Sequence, residues 1–369
     1  MNALLMVALA AGAAPPPPSH LASMKPDEIR ALLHKPRAHA ECERAIAILW
    51  RQPRDGEAPE APAFPFTPLK ARAYQLEYAR WASLPRTVTN GDGVTLVLVP
   101  PGTFRMGSPA DEKGRSKDET PVTVTLTKPF YLGKYEVTVG QFRRFVERTA
   151  HVTGGERNGG GNAHDDKAVW KHREGTSWKK PGFAGAYKML DEHPVVHVSH
   201  DDASAFCKWL SMRGGSRLRY ALPTEAQWEW SCRAGSDKRF WWGDGLDNVS
   251  RRANVGDKAL KRLHPQWPRS IVDEDDGHAF VAPVGSYALN AWFLHDMIGN
   301  VWELCSTRSG PYPKGPVKDP GDLDSKRGYA VRGGGWSNEV HDCRCATRQA
   351  DPPRFCHSNL GFRVALVLP

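Results

Sequence analysis

The end of the chain constrains its fold more than any other stretch. Residues 332–364 read RGGGWSNEVHDCRCATRQADPPRFCHSNLGFRV. Three consecutive glycines, Gly333, Gly334 and Gly335, favour neither a helix nor a free-standing strand. They suit a place where the backbone takes positive φ or passes close to another segment. Trp336 follows, then a polar run, then Cys343 and Cys345, which on a strand would face the same side. The stretch closes on Asn359-Leu360-Gly361-Phe362-Arg363-Val364, a turn leading into a last strand. The C-terminus is therefore expected inside a core rather than frayed.

A C-terminus of that kind needs a sizeable body around it. The chain has 369 residues, 40% hydrophobic and 25% charged, enough for one large domain and a smaller piece. Thirteen tryptophans, 34 glycines and 30 prolines indicate a loop-rich fold with irregular backbone. No apolar run reaches the roughly 18–20 residues of a membrane span. The net charge of +9 bears on solubility and steering rather than on fold. Its basic residues are dispersed without an aromatic-interleaved basic motif, so no nucleic-acid partner is expected.

Residues 1–14, MNALLMVALAAGAA, read as a short signal peptide whose only positive charge is the amino terminus. The seven cysteines agree with export to the periplasm, the cell envelope or the medium. Residues 15–87 then read as an N-terminal helical region with proline-rich linkers. PPPP at 15–18 is a stiff spacer. Helical patterns follow over Ser23–Leu33 and Glu41–Arg51, and residues 52–69 carry five prolines. Tyr74, Tyr78 and Trp81 recur at helical spacing as a stripe that docks on the main domain, which is expected over residues 88–369. Within it, Leu96–Val99 reads as a buried strand, Val122–Leu126 as an alternating one, and residues 139–148 and Asp201–Met212 as helices. Thr224 caps a further helix. Residues 151–192 show no clear periodicity and read as a long loop.

Six motifs in order resemble the formylglycine-generating enzyme, or sulfatase-modifying factor, family. They are LVLVPPGTFRMGSP at 96–109, PFYLGKYEVTVGQFRRFV at 129–146, HPVVHVSHDDASAFCKWLS at 193–211, LPTEAQWEWSCRAG at 222–235, HDMIGNVWEL at 295–304 and the C-terminal stretch itself. The resemblance covers roughly residues 88–367. It implies an α+β fold related to C-type lectins, with short twisted strands, two main helices and much irregular loop. It also implies disulfides: Cys232 with Cys345, and, less directly, Cys305 with Cys343 and Cys207 with Cys356. Six cysteines allow fifteen pairings, so the residues themselves leave the connectivity open.

The resemblance implies two structural calcium sites. One matches Asp296, Gly299, Val301 and Glu303, where two carboxylates flank carbonyls at a turn, as a hard cation needs. The other matches Asn254, Val255, Asp276 and His278, the last through its carbonyl alone. The competing reading has residues 273–276 as a solvated acidic turn and Glu303 paired with an arginine. Family oxidases also hold copper(I) on two cysteines just after a GGS-aromatic motif, thiolates being the soft ligands that ion prefers. Here Asn338 stands at the first of those positions and Gly335 replaces the family's serine. Copper and oxidase activity are therefore not expected, and no catalytic residue is assigned. The expected function is that of a ligand- or protein-binding module. Its surface would comprise Asn338, Glu339, His341 and Asp342 beside Trp302 and Trp336. The alternative is an oxidase that converts a sulfatase cysteine to formylglycine. His193, His197 and His200 read as capping or surface histidines rather than a metal site. The glycine run 154–161 lacks the lysine of a phosphate loop.

Overall fold

The computed structural model describes residues 24–33, 39–165, 167–185, 187–214, 218–323 and 327–368. The leader reading at 1–14 and the spacer at 15–18 lie outside the described residues. Among the described residues three helices come first: α1 (Pro26–Leu33), α2 (His39–Trp50) and α3 (Pro68–Trp81). The strands β1 (Thr87–Thr89), β2 (Thr95–Val99), β3 (Gly102–Met106), β4 (Val122–Leu126) and β5 (Phe130–Gly133) lead to α4 (Val139–Thr149). Next come α5 (Gly154–Arg157), the hairpin β6 (Gly160–His164) and β7 (Trp170–Glu174), and α6 (His200–Gly214). The chain continues through β8 (Arg219–Ala221), α7 (Glu225–Arg233) and α8 (Lys258–Leu263) to β9 (Trp302–Arg308). It ends on β10 (Val317–Lys318), β11 (Tyr329–Arg332), β12 (Arg348–Asp351), β13 (Leu360–Gly361) and β14 (Ala365–Val367).

The last strand lies in the middle of the main sheet, whose order is β1-β2-β5-β14-β8, antiparallel throughout. A second sheet, β12-β11-β9-β13, carries the motif strands 302–308 and 329–332. Ala365 and Leu366 are fully buried, as the apolar end of the chain requires. Capping fixes two helices. The Thr138 side chain accepts from Gln141 N while Gln141 reaches back to Thr138 N; Thr224 and Gln227 repeat the arrangement at α7. Each box satisfies two backbone donors that a helix start leaves free.

The N-terminal helices share the core of the main sheet: Ile29, Ile46, Tyr74 and Tyr78 pack in one cluster with Leu96, Tyr131, Phe206 and Leu366. The Tyr74 hydroxyl donates to Pro101 O at 2.9 Å. Residues 151–192 differ from the loop reading, because Thr153 caps α5 and the glycine run that follows enters β6. Asn162 N donates to Cys356 O and Ser358 N donates to Asn162 O, so the hairpin adds to the C-terminal stretch. Glycines and exposed polar residues hide a hairpin from periodicity, since the pairing is supplied by backbone distant in sequence.

Candidate functional site

The glycine triplet explains itself in space. Gly333 and Gly334 have φ of 96° and 75°, and a Cβ on Gly334 would stand 2.3 Å from Cys343 Sγ. Trp336 N donates to Asn300 O at 2.9 Å, which ties this loop to the turn 296–300. Cys343 and Cys345 are not on a strand; they follow a short 3₁₀ turn, Val340–Asp342, so the period-two argument for a shared face does not apply.

The anticipated ligand surface divides in two. Trp302, Trp336 and Asn338 are 3%, 1% and 6% exposed, and the expectation that they lie at the surface is corrected. Trp302 Nε1 donates to Asn338 Oδ1 at 2.9 Å, and Gly335 N donates to the same oxygen at 3.1 Å. Trp336 is enclosed by Phe280, Phe183 and His164, at ring separations of 5.0, 5.6 and 5.8 Å. Phe183 and His164 come from the stretch whose structure periodicity did not reveal, which is why the tryptophan reads as exposed in the sequence. Glu339, His341 and Asp342 are half-buried. Glu339 Oε1 accepts from Ser270 N at 3.2 Å, Asp342 pairs with Arg269 at 3.3 Å, and Arg239 lies 3.3 Å from His341 Nδ1. Burial and the Arg239 charge hold the His341 pKa below its ordinary value. Glu339 and His341 border a cleft of about 340 Å³, walled by Leu246, residues 270–274 and residues 339–341.

At the first calcium-like set, Glu303 is committed elsewhere. Arg363 Nε and Nη2 donate to its two oxygens at 2.7 Å each, and Trp228 Nε1 donates at 2.8 Å. The arginine pairing expected under the competing reading is thus present. Asp296 takes one bond, from Gly285 N at 2.6 Å. Its Oδ1 and Glu136 Oε2 are buried without a partner. Burial pushes both carboxyls up, Asp296 to about 6; the Asp296 charge adds to the rise of Glu136, and the Glu303 charge adds to both. Glu136, which motif reading overlooked, therefore adds an unpartnered carboxyl oxygen to this set. Gly299 is required here: a Cβ would stand 2.2 Å from Asn254 O. In the second set, Asn254 Oδ1 is buried and unpartnered. Asp276 accepts from His278 N at 2.7 Å and from the Tyr287 hydroxyl at 2.5 Å, and burial lifts it to about 7. Among the described residues no three His, Cys, Asp or Glu side chains converge to hold a metal. The unpartnered oxygens of Asp296, Glu136 and Asn254 are hard donors of the kind a hard cation takes, its remaining ligands then having to come from carbonyls such as those expected at Val255, Gly299, Val301 and His278.

All seven cysteines are buried free thiols. Of the expected pairs, Cys232 and Cys345 have sulfurs 3.5 Å apart. Cys305 and Cys343 share their apolar cluster without a bond, whereas Cys207 belongs to a different cluster and Cys356 packs against Gly155 and Gly161. Burial pushes the Cys343 thiol well up, the opposite of what a thiolate ligand needs. The histidines are separately engaged: His193 with the Tyr187 hydroxyl, His197 with Pro181 O, His200 on the Tyr329 ring.

An α+β body with a buried glycine–tryptophan loop, a carboxylate-lined turn and an Arg363–Glu303 pair at its centre defines the class. The profile of the sulfatase-modifying factor enzyme 1-like domain matches residues 78–368, and the chain belongs to that family. It is 34% identical over 294 residues to a formylglycine-generating enzyme of Streptomyces coelicolor, covering 73% of this chain and 88% of that protein. It is 30% identical over 310 residues to the inactive C-alpha-formylglycine-generating enzyme 2 of Bos taurus, covering 78% and 91%. Among solved structures, PvdO from Pseudomonas aeruginosa superposes with a TM-score of 0.61 at 26% identity, over 76% of this chain and 98% of that one. The match starts at residue 78, inside α3, and α1 and α2 lie outside the matched residues.

Proposed function

We propose that this protein is an exported, non-oxidase member of the family that binds a ligand or protein partner at the cleft bordered by Glu339 and His341, with calcium as a structural ion. The Asn338 amide carries the reading. It stands where the family's oxidases hold their first copper thiolate, an amide oxygen is a poor ligand for a soft monovalent metal, and this oxygen is already occupied by the Trp302 and Gly335 donors. Cys343 Sγ lies against Gly334, and burial favours its neutral thiol. Asp296, Glu136 and Asn254 would hold calcium together with the backbone oxygens named above; when bound, the ion supplies charge that neutralises two buried carboxylates. The half-buried Glu339 and His341 rim a cleft whose walls include the apolar Leu246, Ile271 and Val340, the composition of a specific binding cleft. Relatives of both kinds, enzymes and an inactive protein, are compatible with it.

The deciding experiment is copper(I) titration against a competing chelator, followed by incubation with a CxPxR peptide and dioxygen. The expected result is weak copper uptake and an unchanged peptide, with calcium retained by the purified protein. Tight copper binding with formylglycine in the peptide would replace this reading with that of an oxidase.

A further inference from the structure

A second cleft lies on a different face, between the outer side of α6 and β8. It encloses about 320 Å³ and is lined by His200, Ser204, Lys208 and Ser211 from the helix, Arg219–Leu222 from the strand, and Ser306 from β9. The spacing 200, 204, 208, 211 places these polar residues along one stripe of α6. The opposite stripe, Ala203, Phe206 and Leu210, fills the core.

The cleft carries charge of a single sign. Lys208 and Arg219 are exposed, and neither pairs with a carboxylate among the described residues. No Asp or Glu lines it. Other principal clefts each contain a carboxylate, for example Asp237, Glu225, Asp111 or Glu339. Two uncompensated cations facing a concave surface focus positive potential into it. At one end His200 stacks on Tyr329, with ring centroids 3.4 Å apart and planes at 10°, and Arg308 lies over the same tyrosine at 5.1 Å. Ser204 Oγ has the His200 ring as its neighbour at 3.5 Å and can still donate outward.

The strand edge narrows the choice of ligand. β8 is the terminal strand of the main sheet, and such an edge ordinarily invites another strand. Here Tyr220 N donates to Ser211 Oγ at 2.9 Å, and the same hydroxyl lies 3.3 Å from Tyr220 O. With the Tyr220 N–H already donated to Ser211 Oγ, the cleft is poorly placed for β-addition of a peptide. What remains is a lysine point charge, an arginine fork, a hydroxyl and an imidazole over an apolar floor of Ala221 and Leu222. We propose that this cleft binds a phosphate monoester, its dianion held between Lys208 and Arg219 and its organic part lying on Ala221 and Leu222. Arginine and lysine together with hydroxyls are the usual partners of phosphate oxygens. The cleft is larger than an inorganic phosphate alone, which is why an ester is favoured. A soluble metabolite and a lipid headgroup share this chemistry.

The test uses the full chain with inorganic phosphate, phenyl phosphate and phosphatidic acid vesicles, read by calorimetry and by the NMR titration of the His200 ring. Burial and Arg308 hold that ring's pKa down to about 4, against a smaller opposing pull from Asp322. Near that pH the ester is a monoanion, since its second pKa is about 6; its remaining negative charge beside the ring should still raise the midpoint, which a merely structural role for Lys208 and Arg219 would not do. Phenyl phosphate is expected to saturate, and K208Q and R219Q should each weaken it about tenfold or more. K261Q, whose lysine bonds to Trp267 O, should change nothing. Saturation by vesicles without phenyl phosphate binding assigns the headgroup; phenyl phosphate binding without vesicles assigns a soluble ester. No saturable response to any of the three, an unmoved His200 midpoint, or full affinity in the K208Q/R219Q double variant overturns the proposal.

Discussion

Asp296→Asn is the substitution that most directly probes the calcium reading. In the folded chain Asp296 titrates near 6 rather than at its ordinary 3.8, because burial and the nearby Glu303 charge disfavour its ionised form. A carboxyl whose folded pKa is raised binds its proton more tightly folded than unfolded. The resulting stabilisation is complete below about pH 4 and is lost as pH rises through about 6. At about 1.4 kcal/mol per pH unit, the gap amounts to about 3 kcal/mol. Asparagine mimics the protonated acid: its carbonyl can keep the Gly285 bond and its NH₂ can face Glu136 Oε2. In chelator, the variant should therefore match wild type near pH 4 and exceed it by up to about 3 kcal/mol at pH 7. Calcium should close most of that gap. At a hundred times its dissociation constant a bound ion adds about 2.7 kcal/mol, and only wild type retains the charge to use it. Urea unfolding at both pH values, with chelator and with calcium, reads all four conditions. A variant no more stable than wild type at pH 7 in chelator, or an equal calcium effect on both proteins, would refute the reasoning.

Two other outcomes are expected. Asn338→Ala strips the acceptor from Trp302 Nε1 and Gly335 N, two buried donors at about 1–3 kcal/mol each, and should lower unfolding free energy by about 2–5 kcal/mol; a loss below about 1 kcal/mol would mean the amide is not a lock. Protein recovered from an oxidising compartment, alkylated in denaturant and digested, should yield a Cys232–Cys345 crosslinked peptide. Protein kept reduced should yield seven alkylated cysteines. Oxidised material with both of these sulfurs alkylated would refute the pairing.

The local elements were readable because their causes are local. Thr138 and Thr224 announce helix starts by their own side chains, and Leu96–Val99 announces a strand by composition. The burial of the C-terminus followed from its apolar run and its glycine-rich turns. The hairpin at 160–174 was not readable, since its strands are glycine-rich or exposed and their register depends on pairing with residues 356–358. The candidate site was half legible. Motifs gave the residue set at 296–303, but Glu136 lies 160 positions before Asp296 and only the fold sets the two carboxyls against each other.

What this protein owes to its sequence alone is its family, its helix caps, its need for glycine at 333–335 and the absence of a thiol at position 338, since each depends on residue type at one place. Tertiary structure decided which of those residues meet solvent. Trp302, Trp336 and Asn338 are polar-capable side chains that a linear reading puts at a surface, yet they are enclosed by rings and donors from segments far along the chain. It also decided which carboxylates are spent, since Glu303 faces Arg363 while Asp296 and Glu136 keep bare oxygens. Burial and partner choice are properties of packing between distant segments, and no spacing within one segment encodes them.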